Sequence, residues 1–501
     1  MPNLFKCVNV LSFCKGCEIL IAGAIWAVCC NAAQAINSQP TPNVLIIVVD
    51  DLGYGELGCY GGTEIPTPHI DSLASSGVTF TSGYVTAPYC AASRAGLLTG
   101  KYQTRFGFEF NPIGAVNCQP GIGLPSQQTI ASRLRDHGYA TALIGKWHLG
   151  GTPEFHPQRR GFDEFFGFLH EGHYFVPQPW LRTTTWLRRT ALPNRQSGRW
   201  ISADKKIVWS NHMGHVEPPY DADNPILRSS QPTQENENLT TAFTREASDF
   251  IRRNRQQPFF LLLAYNAVHS PLQADDRYLA KFAHIDDIHR RIFAAMLSHL
   301  DDGVGQVLQT LQEQGIDKNT LVILLSDNGG ATKELTSSNH PLRGGKGNLY
   351  EGGIRVPMIA AWPGKLKPAS ISTPAISMDI AATVVDFASQ TDRQSQAPIA
   401  DISGSVRAEK SLDGISWLKL LQMPTEKPPE RDLYWRMGNR RAIRSHNWKA
   451  ICNDGRIWEL YDLATDLSES NNLSDQHPEV LTRLITSWDQ WNAQQVEPLW
   501  K

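Results

Sequence analysis

Four apolar runs in this chain stop at residues equipped for chemistry. Residues 44–49 (VLIIVV) end at Asp50 and Asp51, and residues 139–144 (YATALI) lead to Lys146 and His148. Residues 259–265 (FFLLLAY) lead to Asn266 and His269, and residues 321–325 (LVILL) to Asp327 and Asn328. Open α/β sheets place ligand sites just beyond the carboxyl ends of their strands. Asp and Asn also cap turns and helices there, which accounts well for one such strand end and less well for four. Lys146 and His148 stand two apart, so in an extended segment they point to one face. The expectation is one shared site.

A further candidate is the segment Cys90-Ala91-Ala92-Ser93-Arg94-Ala95-Gly96-Leu97-Leu98-Thr99-Gly100. Residues 91–99 suit a short helix stopped by Gly100, with Cys90 at its amino end. Unpaired N–H groups and the helix dipole favour developing negative charge there. By residue type alone, Cys90 is either a low-pKa thiolate or an ordinary buried cysteine.

The elements that must hold these residues follow from pattern. Short, unbroken apolar runs suit strands buried on both faces, as in a mainly parallel sheet covered by helices. Residues 241–253 and 286–314 carry helical spacing between them, so the alternation implies a doubly wound α/β sheet. Residues 165–234, with Trp180, Trp186, Trp200, Trp209 and many arginines, read as irregular loops inserted over a site. Residues 390–410 read as an exposed connection. Beyond it, residues 432–435, 441–444, 448–452 and 458–461 read as short strands and 478–494 as an amphipathic helix. That makes a small C-terminal α+β subdomain.

The chain has 501 residues, with 47 Lys+Arg against 49 Asp+Glu, a formal net charge of −2. This balance leaves no basic excess for gripping a nucleic-acid backbone. The 41% hydrophobic and 19% charged content excludes a disordered chain. Five of the nine cysteines lie in the first thirty residues, around an apolar run at 19–30 that follows Lys6 and Lys15 and precedes Ala33-Gln34-Ala35. The order of basic, apolar and small residues predicts an export signal over residues 1–35, with an uncleaved anchor as the alternative. Cleavage removes two lysines and one glutamate, taking the charge from −2 to −3. Once Cys90 is set aside, Cys59, Cys118 and Cys452 leave an odd number, so no disulfide is expected. Asn238-Leu239-Thr240 fits a glycosylation acceptor, a common chance triplet.

The Cys90 segment closely resembles the signature of the sulfatase family, whose usual form is Cys-x-Pro-Ser-Arg-x-x-x-Leu-Thr-Gly; Ala92 stands in the proline position. The resemblance extends along most of the chain. It includes Asp50-Asp51-Leu52-Gly53-Tyr54-Gly55, Gly145-Lys146-Trp147-His148-Leu149-Gly150, Arg160-Gly161-Phe162-Asp163, and Asn266-Ala267-Val268-His269-Ser270-Pro271. It continues through Ser326-Asp327-Asn328-Gly329-Gly330, the stretch from Gly345-Lys346-Gly347 to Pro357, and Glu459-Leu460-Tyr461-Asp462-Leu463. Each fragment alone is weak, and their joint order is specific.

The resemblance implies an alkaline-phosphatase-like α/β fold: a large mixed, mainly parallel sheet sandwiched by helices, over residues 36–425. The C-terminal subdomain, 426–501, would contain an antiparallel sheet. It implies that Cys90 becomes formylglycine, whose hydrated aldehyde is the nucleophile. A formylglycine-generating or a radical maturation enzyme would be the partner, and Ala92 leaves open which. Asp50, Asp51, Asp327 and Asn328, with the Cys90 hydrate, would hold one divalent cation. Oxygen ligands suit Ca²⁺, or Mg²⁺, better than Zn²⁺. Arg94 would support the hydrate and the metal ligands, Lys146 would contact hydrate and sulfate, and His148 would take the remaining hydrate proton. His269 and Lys346 would clamp the sulfate from the leaving-group side, His269 protonating the departing alcohol. Arg343 lies near enough in sequence to share the task of Lys346.

The implied activity is hydrolysis of a sulfate ester, with a sulfated carbohydrate as substrate and aryl sulfates as surrogates. The export signal and the aromatic, Arg-rich insertion favour a glycan. The protein would be periplasmic or secreted, with no stable membrane insertion after leader removal and no nucleic-acid partner. His156, His170, His173, His212, His215, Arg182, Arg188 and Arg189 either line the substrate pocket or face solvent. The rivals are a phosphonate or phosphate-ester hydrolase on the same scaffold, and a non-catalytic sulfoglycan-binding protein in which Cys90 stays a thiol.

Overall fold

The computed structural model describes residues 41–212, 216–395, 412–423 and 430–500. The expected leader, much of the 390–410 connection and the boundary at 425/426 lie outside these residues.

The main sheet has ten strands. They are β1 (Asn43–Val49), β2 (Val78–Phe80), β3 (Ala140–Lys146), β4 (Glu164–Phe168), β5 (Leu227–Arg228), β6 (Gln231–Pro232), β7 (Phe259–Ala264), β8 (Thr320–Ser326), β9 (Met358–Ala361) and β10 (Ala369–Ile371). Their spatial order is β6-β5-β4-β3-β7-β1-β8-β9-β2-β10. The five strands β4-β3-β7-β1-β8 run parallel. Strands added at both sides pair antiparallel, β5 on β4 and β9 on β8.

Burial on both faces explains the unbroken apolar runs. In β1, Val44, Ile46 and Val48 enter one core, while Leu45, Ile47 and Val49 enter the other. The first core is closed by α1 (Cys90–Thr99) and α4 (Met378–Ser395), the second by α2 (Leu239–Asn254) and α3 (Ile288–Glu313). Helix α1 ends at Gly100, whose φ of +66° suits a residue without Cβ. Asn238 caps α2, accepting from Thr240 N at 2.9 Å, and its amide donates to Asp275 at 3.1 Å. It is buried in that role rather than presented as a glycan acceptor.

The 165–234 stretch differs from the expected loops. It contributes most of β4, β5 and β6, and three strands (Thr183–Arg188, Arg199–Ile201, Ile207–Ser210) of a second, four-stranded sheet completed by Leu272–Asp275. These strands are short, and Thr183–Arg188 is buried at five of six positions, so no alternation marks it. Trp186 has no exposed surface and stacks on His289, ring centres 4.0 Å apart, so it belongs to the core.

The C-terminal strands Leu433–Met437, Arg440–Ser445, Trp448–Cys452 and Glu459–Asp462 form an antiparallel meander crossed by α5 (Pro478–Asn492). Trp435, Ile443, Leu460 and Leu484 pack into the same core as Val44, and the Trp435 indole donates to Val85 O at 2.7 Å. This subdomain therefore shares its core with the main sheet.

Candidate active site

Register brings the carboxylates together. Val49 of β1 stands opposite Ser326 of β8, so Asp50-Asp51 and Asp327-Asn328 leave the sheet side by side. Asp327 N donates to Val49 O at 3.0 Å, and Asp51 N to Asp327 Oδ1 at 3.3 Å. Asp51 has φ +62°, a left-handed conformation that non-glycine residues adopt sparingly and that recurs at functional sites. Ligand atoms of Asp50, Asp51, Asp327 and Cys90 all lie within 4.8 Å of one another. Cys90 stands at the amino end of α1, its Sγ 4.0 Å from Asp51 Oδ1. The side chain of Asn111, rather than a cap from the helix itself, accepts from Ala91 N at 2.9 Å.

This cluster fits a divalent cation. Asp50 Oδ1 and Asn328 Oδ1 are buried without a hydrogen-bond partner, two oxygens waiting for a positive charge. Burial, then the neighbouring Asp50 carboxylate, pushes Asp327 up to about 6. Burial and the like charge of Asp50 together outweigh the opposing pull of Arg94 and Lys146. The oxygen donor set matches Ca²⁺ or Mg²⁺. In a second acidic group, His69 with Asp301 and Asp302, both oxygens of Asp301 already accept from the backbone N–H groups of His69 and Ile70.

Basic groups surround the carboxylates. Lys146 Nζ lies 2.6 Å from Asp50 Oδ2, Lys346 Nζ 2.7 Å from Asp51 Oδ2, and Arg94 Nε 2.9 Å from Asp327 Oδ2. Arg94 also donates to Lys146 O at 3.0 Å, tying α1 to the end of β3. Burial opposes the charge on Asp51, but the Lys346 ammonium and then His269 hold its carboxyl below the usual range. The same contact holds the Lys346 ammonium well above its ordinary value against burial. Burial pushes the Cys90 thiol up, with Lys146 and Lys346 opposing.

The two histidines differ in their tethers. His148 is fully buried, its Nε2 is 2.9 Å from Pro112 O, and its Nδ1 has no partner. A proton on Nε2 satisfies that carbonyl and leaves Nδ1 as the free base. Burial, then Lys146, lowers the His148 pKa well below its ordinary value, so the ring is neutral at neutral pH. His269 Nδ1 lies 2.6 Å from Ser270 O, which leaves Nε2 facing Asp51 Oδ2 at 3.7 Å. Burial, then Lys346 and Lys146, lowers His269 to about 3.

All ten residues named from the sequence converge here: Asp50, Asp51, Cys90, Arg94, Lys146, His148, His269, Asp327, Asn328 and Lys346. Arg343 does not join them. Its guanidinium stacks on Tyr350 and donates to Tyr461 Oη at 3.1 Å and Glu469 O at 2.7 Å, toward the C-terminal subdomain. His156 binds Ser229 O, His170 lies 3.3 Å from Cys118 Sγ, and His173 binds Tyr174 O, while His215 lies outside the described residues. Arg188 pairs with Glu217, Arg189 lies over the Trp209 ring, and Arg182 is exposed. Among the described residues, Cys59, Cys90, Cys118 and Cys452 form no disulfide with one another. Asn111 and Pro112 escaped the sequence reading, because an amide and a carbonyl in a loop carry no pattern.

Comparison with known proteins gives this geometry a family. The family model described as Sulfatase matches residues 42–390. The chain belongs to the sulfatase family. It is a sulfuric ester hydrolase with the alkaline-phosphatase-like fold. A second model, N-sulphoglucosamine sulphohydrolase, C-terminal, matches residues 345–493. This sulfatase is 33% identical to the steryl-sulfatase of Mus musculus, over 84% of this chain and 72% of the relative. It is 31% identical to the N-acetylgalactosamine-6-sulfatase of Mus musculus, over 88% of this chain and 78% of the relative. Among solved structures, Ps i-CgsB in complex with k-i-k-neocarrahexaose is 32% identical, with a TM-score of 0.76 covering 92% of this chain and 94% of that one. The phosphonate monoester hydrolase SpPMH from Silicibacter pomeroyi, at 17% identity and TM-score 0.60, shares the fold alone.

Proposed function

We propose that this sulfatase releases sulfate from a sulfated carbohydrate, using formylglycine formed from Cys90 and one divalent cation, Ca²⁺ or Mg²⁺. The observation that carries the reading is the meeting of four oxygen-ligand side chains and five basic ones, Arg94, Lys146, His148, His269 and Lys346, at the amino end of α1. A cation held by Asp50, Asp51, Asp327 and Asn328 would supply charge neutralisation at a sulfate oxygen and acidify the formylglycine hydrate. Arg94 keeps Asp327 oriented and stabilises the hydrate. Lys146 and Lys346 hold the sulfate oxygens, exchanging part of their present carboxylate contact for the incoming anion.

One hydrate hydroxyl, ionised with its proton lost to solvent, would attack sulfur as the S–O bond to the alcohol breaks and its electron pair goes to the departing oxygen. That oxygen would take a proton from Nε2 of His269, whose charged form the bound anion favours against burial and the two lysines. Nδ1 of His148 then takes the proton of the remaining hydroxyl. The C=O bond re-forms as sulfate leaves, restoring the aldehyde.

A carbohydrate substrate draws support from the oligosaccharide-bound Ps i-CgsB and from the N-acetylgalactosamine-6-sulfatase relative. Export belongs to the same reading, through the order of basic, apolar and small residues in 1–35. Among the described residues no helix is long and apolar enough to cross a membrane. Maturation of Cys90 requires a formylglycine-generating or radical enzyme as partner. The shared fold with a phosphonate monoester hydrolase keeps phosphoester hydrolysis as the alternative.

The test is sulfate release from a panel of defined sulfated saccharides, beside a matched aryl sulfate and aryl phosphodiester. Release from at least one saccharide, with aryl sulfate turnover exceeding phosphodiester turnover, is expected. Dominant phosphodiester turnover would overturn the reading.

A further inference from the structure

A chain of buried polar groups runs from the inserted sheet to the back of His269. Arg188, the last residue of strand Thr183–Arg188, grips both oxygens of Glu217, Nε to Oε1 at 2.8 Å and Nη2 to Oε2 at 3.1 Å. Tyr220 Oη donates to Glu217 Oε2 at 2.6 Å and lies 2.9 Å from Ser270 Oγ. The direction is fixed by counting protons. The phenol's only hydrogen is used on a carboxylate that can only accept, so Ser270 must donate to Tyr220. Burial, then the Glu217 charge, holds the phenol well above its ordinary value, so that hydrogen stays in place. Ser270 is the residue whose carbonyl accepts from His269 Nδ1. The Tyr220 ring meets the imidazole edge-on, centres 6.4 Å apart at 81°.

Glu217, Tyr220, Ser270 and His269 are each at most 8% exposed. A strand two residues on, Leu272–Asp275, pairs antiparallel with Thr183–Arg188, closing the loop that carries His269. A buried, fully satisfied network rigidifies what it touches, and a buried ion pair is retained more for specificity than for stability. The group it touches is the Ser270 hydroxyl, and the carbonyl of that same residue accepts from His269 Nδ1 and so sets the direction of Nε2.

We infer that Arg188, Glu217 and Tyr220 are positioning residues that fix Ser270, and through its carbonyl aim Nε2 of His269 at the leaving oxygen. The inference rests on the reading of His269 as the leaving-group acid. It makes the inserted sheet part of the catalytic apparatus rather than only a cover over the substrate.

A leaving group that departs readily needs no acid, whereas a sugar alkoxide does. The experiment compares Tyr220→Phe, Ser270→Ala and His269→Ala across aryl sulfates of graded phenol acidity and one sulfated saccharide turned over by the parent enzyme. Equal conversion of Cys90 is verified by mass spectrometry. General acid catalysis is worth about 10²–10⁴, so His269→Ala should lose about that factor on weakly acidic phenols and far less on 4-nitrophenyl sulfate. Tyr220→Phe should show the same tilt at smaller size, about 10-fold on poor leaving groups and within about twofold on 4-nitrophenyl sulfate, as misaligned rather than missing acid. Ser270→Ala breaks the link from the other end and supplies the test if Tyr220→Phe does not accumulate. A uniform loss across the series for both network variants, with His269→Ala tilted, overturns this inference and leaves the acid role standing. A flat His269→Ala series overturns the acid role and the inference together.

Discussion

Lys146 and Asp50 form an ion pair of 2.6 Å in which neither side chain has any exposed surface. Taking both charges from water costs more than the pair returns, so its presence at the end of β3 points to function rather than stability. Removing one partner still strands the other. Lys146→Met is expected to lower the stability of cation-free protein by about 3–5 kcal/mol, and the loss should shrink when Ca²⁺ takes up the Asp50 charge. Urea unfolding with chelator and with Ca²⁺ reads both values. Equal losses in the two conditions would mean that Asp50 is not a cation ligand.

Chelation of the native protein should lower the melting temperature and abolish sulfate release, and Ca²⁺ or Mg²⁺ should restore both. A cation at one hundred times its Kd adds about 2.7 kcal/mol. Asp327→Asn removes one ligand charge and should shift the restoring concentration upward. Restoration by Zn²⁺ alone would contradict the oxygen-ligand reading.

The strands and the site residues are legible in the sequence for a common reason. A strand buried on both faces reads as an unbroken apolar run, so its end is marked by the first polar residue, as at Asp50 and at Ser326, just before Asp327. Helix α1 is legible because Gly100 stops it. The sheet formed by Thr183–Arg188, Ile207–Ser210, Arg199–Ile201 and Leu272–Asp275 is not, because its strands are short, distant in sequence and buried without alternation. Trp186 reads as part of loops over a site because composition cannot tell an exposed indole from one stacked on His289. Arg343 and Lys346 looked interchangeable, and only the fold shows one reaching Tyr461 and the other Asp51. Ser270 carries no signal for its role, since what it offers His269 is a backbone carbonyl.

A second buried ionic group should set the acid limit of stability. Lys449 lies 2.9 Å from Glu351 and 2.8 Å from Glu469, with all three side chains fully buried, and it joins the C-terminal sheet to the segment following Lys346. Burial opposes the Glu351 charge, but Lys449, Arg355 and Arg444 hold that carboxyl down to about 2, from an ordinary 4.5. A lowered acid contributes fully above its unfolded value and loses that contribution as pH falls through the folded one. Stability should therefore drop between about pH 4.5 and 2, and Glu351→Gln should flatten that limb. Glu469 is pushed the other way, chiefly by burial, so its contribution declines as pH rises above its ordinary value. Melting temperature against pH for both Gln variants checks the two signs; an unchanged acid limb in Glu351→Gln would contradict the assignment.

Gly145, next to last in β3, precedes Lys146 at φ +113°, where a Cβ would lie 1.9 Å from Ala264 O. Backbone stands on that side, so nothing flexible can yield. Gly145→Ala should destabilise by about 1–3 kcal/mol or more and cost activity beyond the fraction unfolded, because Lys146 and His148 move with it. Activity measured well below the melting temperature separates the two effects. Full activity in the folded variant would show that the strand end tolerates displacement.

In the proposed reaction the nucleophile is made from Cys90, buried beside three carboxylates and two lysines. The most direct test of this is the mass of the peptide containing Cys90, from active enzyme produced in its native host. Formylglycine is expected at that position, in a fraction that tracks sulfate release. An unmodified thiol in fully active enzyme would contradict it.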